Sequence, residues 1–154
     1  MFLFHKKSTI YSPCEGEFKF LHEVKDEVFS KELMGKGFAV VPTNGDIHSP
    51  VDGKVTMVFP TKHAIGITDK NNIEYILHIG IDTVQLKGTG FQISVHEGDS
   101  VKAGDLLVNC DLAMLKQAGY QTDVLVIVTN HKDVRIKQAG NLKVKDEIAY
   151  CENI

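Results

Sequence analysis

Tyr75-Ile76-Leu77-His78-Ile79-Gly80-Ile81-Asp82 is an apolar run that contains one histidine and ends on a carboxylate. Its β-branched and aromatic residues predict a strand, in which successive side chains point to opposite faces. The apolar residues at 75, 77 and 79 would share one face, and His78 would share the other face with Gly80. Because glycine has no side chain, we expect open space above the imidazole. Such an arrangement is more typical of a reactive site than of a packed core.

A second histidine lies upstream in Thr61-Lys62-His63, at the start of another predicted strand. A single histidine in a strand is usually structural or merely exposed, because imidazole tolerates intermediate burial. Two histidines in such segments, with Asp82 four residues after His78, instead indicate a shared functional site.

Two motifs carry a family resemblance: Thr61-Lys62-His63-Ala64, and the run from Leu77 to Phe91, LHIGIDTVQLKGTGF. They resemble the sugar-specific IIA component, glucose type, of the bacterial phosphoenolpyruvate:sugar phosphotransferase system. The similarity extends from about Ile10 to the C-terminus, so it covers almost the whole chain.

This resemblance implies a phosphotransferase with a phosphohistidine intermediate. His78 would accept the phosphoryl group on Nε2 while its Nδ1 faces a backbone carbonyl. His63 would assist the transfer, and Thr61 would supply a hydrogen-bond donor.

The resemblance also implies the partners of the chain. The donor would be the general histidine phosphocarrier protein, and the acceptor a cysteine on the sugar-specific IIB domain of a membrane permease; regulated transporters or kinases could bind as well. No cofactor is required, although His63 and His78 could hold a zinc ion together with a carboxylate from a partner.

A docking surface is expected around the histidines. The resemblance places Phe29, Phe59 and Val84 on this surface and two acidic residues near the histidines. A large apolar residue taken alone is more often part of the core. The predicted apolar rim consists of Phe29, Phe59, Ile65, Ile47 and Val84, and the acidic residues are Asp26 and Asp82. The family has a further acid where this chain has Lys132, followed by Asp133, which leaves a third acidic role open.

The composition limits the protein class. At 154 residues with 43% hydrophobic residues and a net charge of −3, the chain is expected to form one soluble domain. Lys and Arg are scattered without interleaved aromatics, which argues against nucleic-acid binding. Cys14, Cys110 and Cys151 are widely spaced and odd in number, so we expect free thiols in a reducing compartment, the cytoplasm.

The chain is expected to divide into a short N-terminal tail at 1–9 and a single IIA domain at 10–154. The opening segment, with Phe2 and Phe4 before two lysines, has the wrong polarity for a secretory signal. No apolar stretch approaches the length of a membrane span, so we expect no direct membrane insertion.

Short strands separated by turn residues predict an all-β fold. Ser12-Pro13-Cys14-Glu15-Gly16 is echoed by Ser49-Pro50-Val51-Asp52-Gly53, and Gly98–Lys102 by Gly140–Lys145. We therefore expect an antiparallel β-sandwich built from duplicated units, the duplicated hybrid motif of the resembled family. The predicted strands are 15–21, 38–42, 46–48, 53–59, 63–68, 74–79, 91–95, 106–110, 123–129, 142–144 and 147–151.

Turn and helix signals complete the picture. Asn44-Gly45 predicts a two-residue hairpin, because both residues tolerate positive φ. Asp111 can cap a short helix at 112–118 that Gly119 would end, and a second short helix is expected at 27–34, ended by Gly35.

Three other protein classes fit parts of the sequence. A non-catalytic IIA-like regulator, switched by phosphorylation of His78, would use the same residues. A zinc hydrolase could use His63, His78 and Asp82, but the HxH pair typical of zinc peptidases on a related scaffold is absent, and catalytic zinc usually has three protein ligands. A lipoyl-type carrier would need a suitable hairpin lysine, for which Lys54 and Lys70 are poor matches.

Overall fold

The computed structural model describes residues 6–152, in which nearly all regular structure is β-strand. The strands are β1 Lys7–Tyr11, β2 Gly16–Phe20, β3 Lys36–Pro42, β4 Asp46–His48, β5 Gly53–Val58, β6 Ala64–Asp69, β7 Glu74–Ile79, β8 Phe91–Ile93, β9 Ser100–Val101, β10 Leu106–Cys110, β11 Val124–Val128, β12 Val134–Ile136, β13 Asn141–Leu142 and β14 Glu147–Glu152. Two short helices, α1 Glu27–Ser30 and α2 Leu112–Gln117, and two 3₁₀ turns, Leu21–Glu23 and Thr83–Leu86, lie between them.

The strands form three antiparallel sheets. The large sheet has eight strands in the order β13-β2-β3-β11-β7-β6-β5-β9, and the two small sheets have the orders β1-β14-β12 and β4-β10-β8. The main core combines residues of all three sheets, among them Ile10, Leu107 and Val126, which have no exposed surface. The predicted antiparallel β-sandwich is confirmed.

The two sequence echoes correspond to repeated local structure. The Ser12 hydroxyl donates to the Cys14 carbonyl at 2.7 Å, and the Ser49 hydroxyl donates to the Val51 carbonyl at the same distance. The repeats also bond to each other, since Tyr11 N donates to the carbonyl of Pro50 and His48 N to that of Pro13. In the large sheet, β13 pairs with β2 as β9 pairs with β5, which places β7 and β11 at the centre of a two-fold arrangement.

The large sheet buries its two faces differently. Val124, Val126 and Val128 of β11 point into the main core. Leu125 and Ile127 point the other way, into a smaller cluster formed with the segment 21–29. This second face carries the candidate site.

Every predicted strand is present, with ends that differ from the prediction by at most two residues. The structure adds three short or terminal strands, β1, β9 and β12. Since β1 begins at Lys7 and pairs with β14, residues 7–9 belong to the sandwich and not to a tail. Phe2 and Phe4 lie outside the described residues.

The hairpin predicted at Asn44-Gly45 is wrong. β3 lies in the large sheet and β4 in a small one, so the segment connects two sheets. Neither residue has a positive φ, and the Asn44 side chain accepts from Asp46 N at 3.0 Å. A β-carbon at Gly45 would lie 1.9 Å from the Cys110 carbonyl oxygen, so this glycine permits close approach of two backbones.

The helix predictions are confirmed with one correction. Asp111 caps α2 by accepting from Met114 N at 3.1 Å, and Gly119 follows with φ +88°. The first helix is shorter than predicted because Glu32 takes a left-handed φ of 57°, so α1 ends at Ser30 before Gly35 is reached. Among the described residues, no helix is long and apolar enough to cross a membrane.

Candidate functional site

His78 lies near the end of β7, on the face of the large sheet opposite the main core. Its cross-strand neighbours are Ala64 on β6 and Leu125 on β11. Directly opposed side chains on one face have Cβ atoms roughly 4.5–5.5 Å apart, so the alanine leaves room beside the imidazole.

We predicted from the sequence that Gly80 provides the space above the His78 imidazole, and this prediction is wrong. Gly80 follows β7 with a φ of +75°, and a β-carbon there would lie 2.5 Å from Cγ2 of Thr83. Gly80 N also donates to the Asp123 carbonyl at 2.8 Å. This glycine therefore makes a tight turn possible, and the space beside His78 comes from Ala64.

The β5–β6 hairpin supplies the second histidine. Phe59 N donates to the Ala64 carbonyl at 3.1 Å, and Lys62 N donates to the Phe59 carbonyl at 2.7 Å, which closes the loop. The His63 carbonyl accepts from Ile79 N at 2.8 Å, so the hairpin is fixed to the end of β7. These bonds bring the two histidines together.

The imidazole rings of His63 and His78 meet edge to face, with centroids 4.9 Å apart and planes at 85°. Two aromatic rings flank the pair. The Phe29 centroid lies 4.9 Å from that of His78, and the Phe59 centroid lies 5.8 Å from that of His63. The histidines are thus held in an aromatic setting that restricts water.

Nδ1 of each ring is directed into the protein. Nδ1 of His63 lies 2.7 Å from the Thr61 hydroxyl oxygen, and the Thr61 backbone is also close enough to favour the protonated ring. Nδ1 of His78 is the one buried side-chain nitrogen or oxygen among the described residues without a hydrogen-bond partner of good geometry, although the Gly80 backbone lies close enough to favour its protonation. Within residues 6–152, Nε2 of neither ring has a hydrogen-bond partner, and both atoms remain in contact with solvent.

Burial lowers the pKa of both histidines. It lowers the pKa of His78 to about 4, with a further decrease from nearby His63, partly offset by the Gly80 backbone and by Asp26. Burial also lowers the pKa of His63, although the Thr61 backbone opposes that shift. At neutral pH His78 is therefore an uncharged base with a free nitrogen lone pair.

The two predicted acidic residues differ in their surroundings. Asp26 caps α1, accepting from Val28 N at 2.9 Å and from Phe29 N at 3.4 Å, and its charge acts on His78. Asp82 is exposed and has a left-handed φ of 61° at the start of the 3₁₀ turn that follows β7. Of the pair, Asp26 therefore acts on the histidines most directly.

The predicted apolar rim is only partly at the surface. Val84 is 48% exposed and Phe59 is half-buried, while Phe29 is buried against His78. Ile47 and Ile65 were placed wrongly, because both have 0% exposure and belong to the main core. A side chain without exposed surface offers a partner no contact.

Other exposed apolar residues were missed. Val28 of α1 is 44% exposed, and Leu33 and Met34 in the turn after it are exposed too. They follow Asp26 closely in sequence, but large apolar residues are normally assigned to a core, and that expectation hid them. The acid after Lys132 is Asp133, which pairs with Arg135 at 3.3 Å.

Comparison with known proteins identifies the class. The family model for the phosphoenolpyruvate-dependent sugar phosphotransferase system, EIIA 1, matches residues 8–134. The chain belongs to this family.

Relatives of two kinds are similar to the chain. The glucose-specific EIIA components of Mycoplasma capricolum and Oceanobacillus iheyensis are 42% and 44% identical over 97% and 94% of this chain, which covers 98% and 86% of those proteins. The glucose-specific EIICBA component of Streptococcus pneumoniae is 46% identical over 93% of the chain, but the chain spans only 20% of that protein.

A solved structure agrees with the fold. The glucose permease IIA from Mycoplasma capricolum matches with a TM-score of 0.89 and 42% identity, covering 97% of this chain and 99% of that one.

The metal prediction rests on two side chains. Within residues 6–152, no three His, Cys, Asp or Glu side chains converge so that they could hold a metal ion. A zinc ion shared by His63, His78 and a partner's carboxylate stays a prediction.

Proposed function

We propose that this chain is a cytoplasmic phosphoryl carrier. His78 takes a phosphoryl group from the histidine-phosphorylated general carrier protein and passes it to a cysteine of a sugar-specific IIB domain. The observation that carries this proposal is the edge-to-face pair of His63 and His78, with each Nδ1 directed inward and each Nε2 open to solvent.

Protonation favours nucleophilic attack by Nε2 of His78. With a pKa of about 4 the ring is neutral at pH 7, and we place its one proton on the buried Nδ1, toward the Gly80 backbone. The Nε2 lone pair then forms the new P–N bond as the donor's P–N bond breaks and its electron pair returns to the donor imidazole. No proton has to move in this step.

His63 is placed to stabilise the transferred group. If the Thr61 hydroxyl donates to Nδ1 of His63, the ring proton lies on Nε2, the nitrogen open to the same space as Nε2 of His78. An N–H there can donate to a phosphoryl oxygen, which is what phosphoryl transfer needs, since charge spreads over those oxygens. Thr61 thus acts through His63.

Onward transfer reverses the first step. A thiolate of the partner forms the P–S bond while the P–N bond to His78 breaks, and the ring returns to its neutral form with the proton still on Nδ1. Phe29 and Phe59 beside the histidines reduce access of water, which would otherwise hydrolyse the phosphohistidine.

The partner and compartment follow from the same proposal. One relative, 46% identical, is named a glucose-specific EIICBA component, and another, the EIIBCA component of Bacillus subtilis, is 48% identical and named for β-glucosides. Because these similar relatives are named for different sugars, we assign a IIB-type partner and no particular sugar. The three cysteines are buried free thiols, as suits the cytoplasm.

The test is intact-mass measurement after incubation with phosphoenolpyruvate, enzyme I and the general carrier protein. The wild type should gain one acid-labile phosphoryl group, and His78→Ala should gain none. His63→Gln should accept the group but deliver it poorly to a IIB domain. Equal loss of acceptance in both variants would contradict the division of roles, and a wild type that accepts but never delivers would be a phosphorylation switch.

A further inference from the structure

Lys62, between Thr61 and His63, has a backbone conformation that side chains rarely adopt. Its φ is +62°, in the left-handed region that favours glycine and asparagine. The reversal of the loop occurs here, with Lys62 N bonded to the Phe59 carbonyl at 2.7 Å. The conformation of this one residue therefore sets how the Thr61 hydroxyl meets Nδ1 of His63.

The side chain of Lys62 also bridges two segments. A β-carbon added at Gly88 would lie 3.4, 3.7 and 3.8 Å from Cδ, Cγ and Cε of Lys62, so the aliphatic stem packs on the Gly88 backbone. Gly88 follows the 3₁₀ turn after β7, and Thr83 of that turn donates its hydroxyl to the Ile79 carbonyl. The stem thus connects the hairpin that carries His63 to the segment that follows His78.

We propose that Lys62 is a positioning residue for phosphoryl transfer. Its left-handed backbone orients His63 through Thr61, and its stem holds the hairpin against the segment after His78. The ammonium group is not needed for either contact. This inference rests on the proposed function, since it names what fixes the geometry of that same site.

The chain offers a matched control at Lys145. This lysine also has a left-handed φ, +71°, and its stem packs on a glycine, Gly104, yet it lies between β13 and β14, outside the candidate site. A substitution there reproduces the backbone strain and the lost packing without touching the histidines.

The experiment compares Lys62→Val, Lys62→Asn and Lys145→Val. A β-branched side chain disfavours a left-handed φ, while asparagine tolerates it but lacks the stem. Two quantities are measured: the ¹⁵N shifts of the His63 ring in the unphosphorylated protein, and the rate at which the phosphorylated protein delivers its phosphoryl group to a IIB domain.

Lys62→Val should shift the His63 signals and slow delivery about tenfold or more, because small misplacements of a catalytic group can cost up to ~100-fold. Lys62→Asn should keep the His63 signals and lose a smaller part of the rate. Lys145→Val should lower thermal stability and change neither measured quantity.

Two results would overturn the proposal: Lys62→Val matching Lys145→Val in both quantities, or Lys62→Asn being as slow as Lys62→Val. Should Lys62→Val fail to fold, an unchanged rate in Lys62→Asn would also overturn it. A wild type that accepts no phosphoryl group would refute the proposed function, whereas the His63 signals would still test the positioning role.

Discussion

The two central strands of the large sheet, β7 and β11, pair with each other but are buried differently. All five residues of β11 are buried on both faces. β7 is buried only on its core side, and on the other face Ile76 and His78 keep contact with solvent. The segment 21–29 covers Leu125 and Ile127 of β11 and ends over β7, where Phe29 meets His78.

This difference shows how a sandwich core can hold a reactive group. His78 is buried enough for its pKa to be about 4, yet it sits where the cover ends and its Nε2 is reachable. A histidine at the opposed position on β11 would have no contact with solvent. The site therefore lies at the edge of the smaller apolar cluster, where the segment 21–29 no longer covers the large sheet.

Substituting two directly opposed residues, one on each strand, should give the largest contrast. His78→Ala should abolish phosphoryl acceptance and leave the fold intact, because the side chain is at the edge of the cluster. Leu125→Ala, directly opposite on β11, should lower the free energy of unfolding by about 2–5 kcal/mol and keep acceptance at low temperature. Chemical denaturation and intact mass measure both; loss of folding in His78→Ala would refute the comparison.

Acidification should destabilise the folded protein, because the unfolded chain binds a proton at His78 more readily. The pKa of His78 is about 4 in the folded protein against 6.5 for the unperturbed group, so the unfolded chain binds the proton more readily between those values. The free energy of unfolding should fall as pH is lowered through this window, by up to about 3 kcal/mol from this residue.

The check is denaturation of the wild type and of His78→Gln from pH 7 to pH 4. The wild type should lose more stability on acidification than the variant. Parallel curves would mean that His78 titrates as an exposed histidine does.

Phe29 shields His78 from solvent, so truncating its side chain should expose this face of β7 further. Phe29→Ala should cost about 3 kcal/mol of unfolding free energy, at the low end for phenylalanine because the residue lies at the rim. It should also raise the pKa of His78, since burial is the largest cause of its depression. An NMR titration of the His78 ring follows the second effect, and an unchanged pKa would show that Phe29 does not desolvate the ring.

The smallest effect is expected at Asp26. Asp26→Asn keeps an N-cap of similar quality, so stability should change by less than about 0.5 kcal/mol. The pKa of His78 should fall further, because the negative charge that favours its protonated form is gone. Lys31→Gln, which removes a charge from the exposed pair with Glu27, serves as the control that should leave His78 unchanged.

Local patterns predicted much of the fold. The alternation in Tyr75–Ile79 placed His78 opposite the core face, and Asp111 and Gly119 bounded α2 correctly. The connection at Asn44-Gly45 was misread because a hairpin turn and a crossing between sheets use the same residue types, and only long-range pairing distinguishes them.

The chemistry of the site could be predicted from the sequence, but the residues that surround the histidines could be predicted only in part. The histidine pair followed from motif and resemblance, but Ile47 and Ile65 could not be separated from Val84 by residue type, since exposure depends on which strand lies above them. The space beside His78 comes from Ala64, a cross-strand neighbour that no local pattern shows.

The proposed role of His78 is tested most directly by ¹⁵N NMR of its ring after the labelled protein has been phosphorylated by phosphoenolpyruvate, enzyme I and the general carrier protein. We expect phosphorus bonded to Nε2 of His78, a proton on its Nδ1, and an unphosphorylated His63. A phosphoryl group on Nδ1 of His78, or on His63, would contradict the proposed role.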